Sequence, residues 1–158
     1  MPPIRHLDHV AYAVEHADAM LAFYRRLGFR VVLHDHAGVP VDDEYAWRSA
    51  GGDLWAVQFG ESKIFMVAAS RWPASEWEPS SLRAPRAAPG TMDVCWVWEG
   101  PLAEAKRFLA ERDVTVLAGP VERVGGADGG RRAGTSLYFR DPDDNLLEFI
   151  VYDGAQEP

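Results

Sequence analysis

The chain has a single cysteine, Cys95, in 158 residues, so no internal disulfide can form, which fits a reducing compartment. No apolar run reaches transmembrane length. The opening stretch, Met1-Pro2-Pro3-Ile4-Arg5-His6, lacks the apolar centre of a secretion signal, and a soluble cytoplasmic protein is the expectation. Positive charge is also scarce. Sixteen Lys and Arg stand against 24 Asp and Glu, and the net charge of −8 disfavours nucleic acid and anionic membrane surfaces as partners. Aromatic residues are not scarce: six Trp, seven Phe and five Tyr, within an apolar share of 47%, can build a core and argue against disorder. The length allows one domain or a pair of half-size modules.

The most organised stretch lies near the end of the chain. Ser136 to Phe139 is a short aromatic and apolar run, and Asp141-Pro142-Asp143-Asp144-Asn145 is a dense group of turn formers. Leu146 to Tyr152 is then nearly all apolar, with Glu148 in its middle. A carboxylate in such a strand must be paired, protonated or bound to a cation, because burying it bare costs too much.

From the beginning, Leu7 to Val14 alternates as a strand, with His9, Ala11 and Ala13 on one face and Val10, Tyr12 and Val14 on the other. Ala17 to Leu27 has helical spacing and ends at Gly28. Phe29 to Leu33 is the next strand, 37–44 a loop, and Tyr45 to Ser49, Leu54 to Phe59 and Lys63 to Ala68 three strand segments. Residues 70–90 carry Pro73, Pro79, Pro85 and Pro89 among Ser, Ala and Arg and read as a linker, with Trp72 and Trp77 docking it on a module. The second half repeats the order: strand Met92 to Trp98, helix Leu102 to Arg112, strand Val114 to Leu117, then the closing pair. Asp93 lies 84 residues after His9, and Glu148 lies 83 after Phe65, as a duplicated βαβββ module requires. The loop Gly125-Gly126-Ala127-Asp128-Gly129-Gly130 does not match the dinucleotide-binding pattern and reads as a flexible connection whose Arg131 or Arg132 can meet an anion.

Two motifs carry a family resemblance. Leu7-Asp8-His9-Val10-Ala11 opens a strand before the helix end Phe23-Tyr24-Arg25-Arg26-Leu27-Gly28-Phe29, and Tyr138-Phe139-Arg140-Asp141-Pro142-Asp143-Asp144-Asn145-Leu146-Leu147-Glu148 closes the chain. Together they resemble the vicinal oxygen chelate superfamily, which includes glyoxalase I, extradiol dioxygenases and the fosfomycin and bleomycin resistance proteins. Asp144 stands where that family usually has Gly. Pro89 to Val94 and Gly119 to Gly125 resemble small glyoxalase-domain proteins labelled as virulence-associated. The resemblance implies an α+β fold of two βαβββ modules, residues 1–69 and 91–153 joined by linker 70–90, forming a curved mixed sheet around a metal pocket. It also implies a homodimer, a small-molecule substrate, and ligands from the first and last strands of each module.

Carried over by position, those ligand places are His9, Phe65, Asp93 and Glu148. Phe65 cannot bind a metal, so the four-ligand arrangement of glyoxalase I is lost; Asp93 replaces the more usual histidine. Taken singly, His9 is an ordinary core or surface histidine, Asp93 a turn cap, and Glu148 a partner for Arg140. Together they form a metal set of one imidazole and two carboxylates, open to Mn, Ni, Zn, Fe or Mg. Phe65, Cys95 and Ile150 line the pocket, and Glu148 doubles as a catalytic base. Cys95 has no basic neighbour in the pattern and reads as a packed thiol. His34 and His36 read as exposed polar residues. The function that follows is a metal-dependent lyase, isomerase or oxygenase acting on vicinal oxygens, with drug or metabolite sequestration as the alternative.

Overall fold

The computed structural model describes residues 6–35, 39–72, 84 and 86–152. By its contacts the chain divides into two compact units, Met1–Pro89 and Gly90–Pro158.

In the first unit the order is β1 (His9–Val14), α1 (Ala17–Arg26), β2 (Arg30–His34), β3 (Pro40–Val41), α2 (Glu44–Ser49), β4 (Leu54–Phe59) and β5 (Ser62–Ala68), then a single 3-10 turn at Ala69–Arg71. The sheet runs β1-β5-β4-β2-β3. The first strand is parallel to the last, Ala11 opposite Phe65, and the remaining neighbours are antiparallel. Strand alternation sends Tyr12, Met66, Trp55 and Leu33 to one side. There they meet the stripe Met20, Leu21, Phe23 and Tyr24 of α1, all buried, with the Tyr24 and Trp55 rings 6.1 Å apart. Gly28, at φ +80, ends the helix as its spacing predicts, since the left-handed turn carries no penalty for glycine.

The second unit is β6 (Asp93–Val97), α3 (Leu102–Ala110), β7 (Ala118–Val124), a single turn at Ala127–Gly130, β8 (Ala133–Arg140) and β9 (Leu146–Val151). Its sheet runs β6-β9-β8-β7, with β6 parallel to β9 and Cys95 opposite Glu148. This is the order of the first unit without its short fifth strand. The helix side carries Leu137, Phe139, Leu147 and Phe149, all buried. Phe108 and Trp98 close over them, with Trp98 5.0 Å from Phe108 and 5.3 Å from Phe149. Each such fully buried side chain contributes roughly 1.5–3 kcal/mol.

Tyr45 to Ser49 is a helix, α2, and not the strand its aromatic content predicts. Asp43, read there as part of an acidic loop, is an N-cap whose Oδ1 accepts from the Ala46 N–H at 3.0 Å. Trp47 is buried, and its indole N–H donates to the Leu54 carbonyl at 2.9 Å. The strand expected at Val114 to Leu117 begins instead at Ala118. Asp113, at φ +55, turns the chain after α3, and Val114 N–H returns to the Leu109 carbonyl at 3.0 Å. Gly119 and Pro120 then interrupt the ladder between Ala118 and Val121, which hid β7 from a reading by alternation. Most of the Pro-rich linker, with Trp77, lies outside the described residues, as does His36; Trp72 donates to the Ala84 carbonyl at 3.1 Å. Asp144 has φ +66, a left-handed position, which accounts for glycine as the usual residue there; aspartate tolerates it better than most.

Candidate functional site

The faces turned away from the helices carry the candidate residues, one set in each unit. In the second unit, register places Asp93, Cys95 and Val97 on the same face as Leu146, Glu148 and Ile150 of β9 and Ser136, Tyr138 and Arg140 of β8. Glu148 is half-buried between Cys95 on one neighbouring strand and Tyr138 on the other. The Ser136 hydroxyl, fully buried, donates to Glu148 Oε1 in a short hydrogen bond. Tyr138 Oη accepts from Arg123 Nε at 2.8 Å. The pairing of Glu148 with Arg140 is not made: Arg140 instead donates to the Asp144 carbonyl at 2.6 Å and pairs with its carboxylate at 3.3 Å. Among the described residues no cationic side chain pairs with Glu148.

Cys95 is exposed at the residue level, not the packed thiol its pattern predicts, yet partial burial, then the negative charge of Glu148, push the thiol up to about 12. Ile150 shares the face by parity and is buried, packed where Gly125 and Gly134 leave room for it.

In the first unit His9, Ala11 and Ala13 share a face with Lys63, Phe65 and Val67 of β5. Phe65, opposite Ala11, occupies the register place that Glu148 occupies opposite Cys95. His9 Nδ1 lies 2.6 Å from Asp8 Oδ1. Since a carboxylate oxygen only accepts, Nδ1 carries the proton in that pair, and Nε2 of a neutral ring keeps its lone pair. The His9 ring meets Phe65 edge-on at 5.5 Å. The same bond holds the Asp8 carboxyl below its usual range.

His9 and Phe65 are thus brought together in one unit, and Asp93, Cys95 and Glu148 in the other. Among the described residues no three His, Cys, Asp or Glu groups stand together as they would around a metal. The expectation of an exposed His34 is overturned: it ends β2 with 3% of its surface accessible, because its ring lies 4.9 Å from Phe65. Ser136, Tyr138 and Asp8 were not singled out from the sequence. The signal was present in their positions, two apart beside the strand of Glu148 and immediately before His9.

The profile of the Glyoxalase/Bleomycin resistance protein/Dioxygenase superfamily matches residues 6–149. The chain belongs to this superfamily. Among its superfamily relatives is the glyoxalase domain-containing protein RDO1 of Mycosarcoma maydis, 32% identical over 153 residues, covering 97% of this chain and 72% of that protein. The virulence protein STM3117 of Salmonella typhimurium is 27% identical over 150 residues, covering 94% and 85%. The solved integron cassette protein from the mobile metagenome of V. cholerae superposes with a TM-score of 0.71 at 31% identity, covering 97% of this chain and 99% of that one. A lactoylglutathione lyase from Agrobacterium tumefaciens shares the superfamily fold, with a TM-score of 0.64 at 18% identity over 94% and 95% of the two chains. The α+β architecture with mixed sheets expected from the sequence is therefore the fold of the chain. No described helix is long and apolar enough to cross a membrane.

Proposed function

We propose that this superfamily member is a metal-dependent enzyme of the lyase, isomerase or oxygenase type, in which His9, Asp93 and Glu148 hold one divalent ion for a small substrate with adjacent oxygens. The observation that carries the reading is Glu148: a half-buried carboxylate in an apolar strand, with a hydroxyl on one oxygen and, among the described residues, no cation paired with it. A bound metal would supply the missing positive charge.

The donor atoms fit such a group. His9 has Nδ1 committed to Asp8, which leaves Nε2 for a metal in the manner of carboxylate-oriented ligand histidines. Glu148 has Oε1 committed to Ser136, which leaves Oε2. One imidazole and two carboxylates neutralise a divalent ion and suit Mn, Ni, Zn, Fe or Mg. When bound, the ion supplies Lewis-acid polarisation of two adjacent substrate oxygens. The chain's own part is to orient the donors through Asp8 and Ser136.

The test is metal analysis of protein purified without added ions or chelators. Stoichiometric metal in the wild type, and sharp loss of it in His9→Ala, Asp93→Ala and Glu148→Gln with the fold intact, is the expected result. The losses should not add fully, because one shared site is disabled each time. Stoichiometric metal retained by all three variants overturns the site. Phe65 in a ligand place favours a second reading, sequestration of a drug or metabolite on an aromatic face; metal-free protein that binds such a compound without turning it over would support it. A homodimer in the cytoplasm completes the proposal, and sedimentation as a monomer at micromolar concentration would remove the dimer.

A further inference from the structure

Arg123, on the edge strand β7, is an exposed cation that no carboxylate holds among the described residues. In this chain of net charge −8 the guanidiniums of Arg25, Arg48, Arg107 and Arg140 each meet an acid. The partners of Arg123 are neutral. Its Nε donates to Tyr138 Oη at 2.8 Å and its Nη1 to the Glu122 carbonyl at 3.0 Å, which leaves both N–H groups of Nη2 open among the described residues. The reach is long. Arg123 stands opposite Gly134 on β8, and Tyr138 lies about 13 Å further along that strand, opposite Glu148. The guanidinium is thereby carried along the sheet towards the row of Glu148. Tyr138 is half-buried, and its Oη gives a lone pair to Arg123, so its own proton points elsewhere; among the described residues nothing accepts it. A second guanidinium stands on this face. Arg132 lies over the Tyr152 ring at 5.4 Å, and that ring covers Gly134, where an added Cβ would come within 3.0 Å of it.

We propose that Arg123 and Tyr138 bind an oxyanion, the carboxylate or phosphoryl group of a molecule that lies on the Glu148 face. The open donors are the N–H groups of Nη2 and the phenol O–H, and an oxyanion accepts from both at once. Hydrogen bonds to an ionised acceptor are roughly twice as strong as those between neutral groups. Arginine suits the place better than lysine, because its planar fork offers parallel N–H groups and never loses its charge. The bonds to Tyr138 and Glu122 fix that fork before the ligand arrives, so less side-chain freedom is lost on binding. Arg132 adds a second positive charge on the same side of the sheet. Asp93 and Glu148, on β6 and β9, carry the opposite sign, so a bound molecule is oriented with its anionic end towards β7. The site goes beyond the metal-dependent reading and does not require the ion.

The test uses the metal-free chain, labelled with nitrogen-15 and titrated at constant ionic strength with inorganic phosphate and, separately, with acetate. The Nε–H signal of Arg123 is the reporter, and that of Arg107, exposed and paired with Glu111, is the control. The expected result is a saturable shift at Arg123 with a dissociation constant of about 1–10 mM for at least one anion, and none at Arg107. Tighter phosphate assigns a phosphoryl group, tighter acetate a carboxylate. Tyr138→Phe keeps the ring and loses only the hydroxyl; it should weaken binding about 3–10-fold. Arg123→Lys keeps the charge and loses the fork; read on the backbone amides of β8, it should weaken binding about tenfold. The amide spectra of both variants show directly that they are folded. No saturable shift with either anion, an equal shift at Arg107, or undiminished binding in either variant overturns the proposal. Because no metal is present at any stage, failure here leaves the metal-dependent reading standing, and loss of that reading leaves this site standing.

Discussion

The backbone N–H of Met92 donates to Oδ1 of Asn145 at 2.9 Å, across 53 residues of sequence, and so ties the residue before Asp93 to the turn before Glu148. Asn145 is buried and fully used: its amide nitrogen donates to both Asp141 oxygens, at 3.1 and 2.9 Å, and its own N–H to Oδ1 at 3.0 Å. One side chain thereby closes the β8–β9 turn and sets the start of β6 against it.

Asn145→Ala removes the acceptor of the Met92 N–H in a buried place and the two amide bonds to Asp141, whose Oδ1 keeps the backbone N–H groups of Asp143 and residue 145, and costs about 1–3 kcal/mol. Chemical denaturation should show this as a lower midpoint with an unchanged slope. A loss under about 0.5 kcal/mol would mean that water replaces the amide.

Ser136→Ala frees Glu148 Oε1 without replacing any of the three proposed ligands. Metal affinity should fall about 10–100-fold, the usual effect of removing a group that orients a ligand, while Ser136→Thr should keep part of it. Titration of chelator-treated protein measures this. Equal affinity in all three proteins would reduce Ser136 to a packing residue.

His34 gives a signed pH dependence. Burial lowers its folded-state value below the unfolded value of 6.5, so its contribution to stability is fully present above that pH. As pH falls, the unfolded chain takes up the proton first, and stability declines until the folded form also protonates. The difference in stability between wild type and His34→Asn should therefore shrink on acidification. A difference that grows instead would require a cationic His34 in the folded protein.

Phe65 predicts a negative result. Turnover of the methylglyoxal–glutathione hemithioacetal should be absent or trivial, because a phenyl ring fills the place where glyoxalase I has a ligand. Efficient turnover would show that position 65 has been misassigned.

Alternation was enough to read β1, β6 and β9 and the faces of His9, Asp93 and Glu148, because those strands have one side under a helix. It failed where a different constraint governed. Asp43 caps a helix too short to show a period, and Trp47 belongs to that helix because its indole reaches the Leu54 carbonyl. Pro120 removes a ladder donor from β7, so its strand character lies in the register with β8. His34 looked like a surface residue because nothing in Val31-Val32-Leu33-His34 states that Phe65, far along the chain, will cover it. The pairing of Ser136 with Glu148 is likewise a cross-strand relation that follows from the hairpin and not from either segment alone.

In each unit the first strand hydrogen-bonds to the last. During synthesis β1 waits for β5 and β6 waits for β9, so each half exposes an unpaired edge until its final strand has been made. The first half gains its closing strand by Ala68, well before the second half is complete. Such long-range parallel pairing favours slow folding by halves, with β6 and β9 joined only at the end.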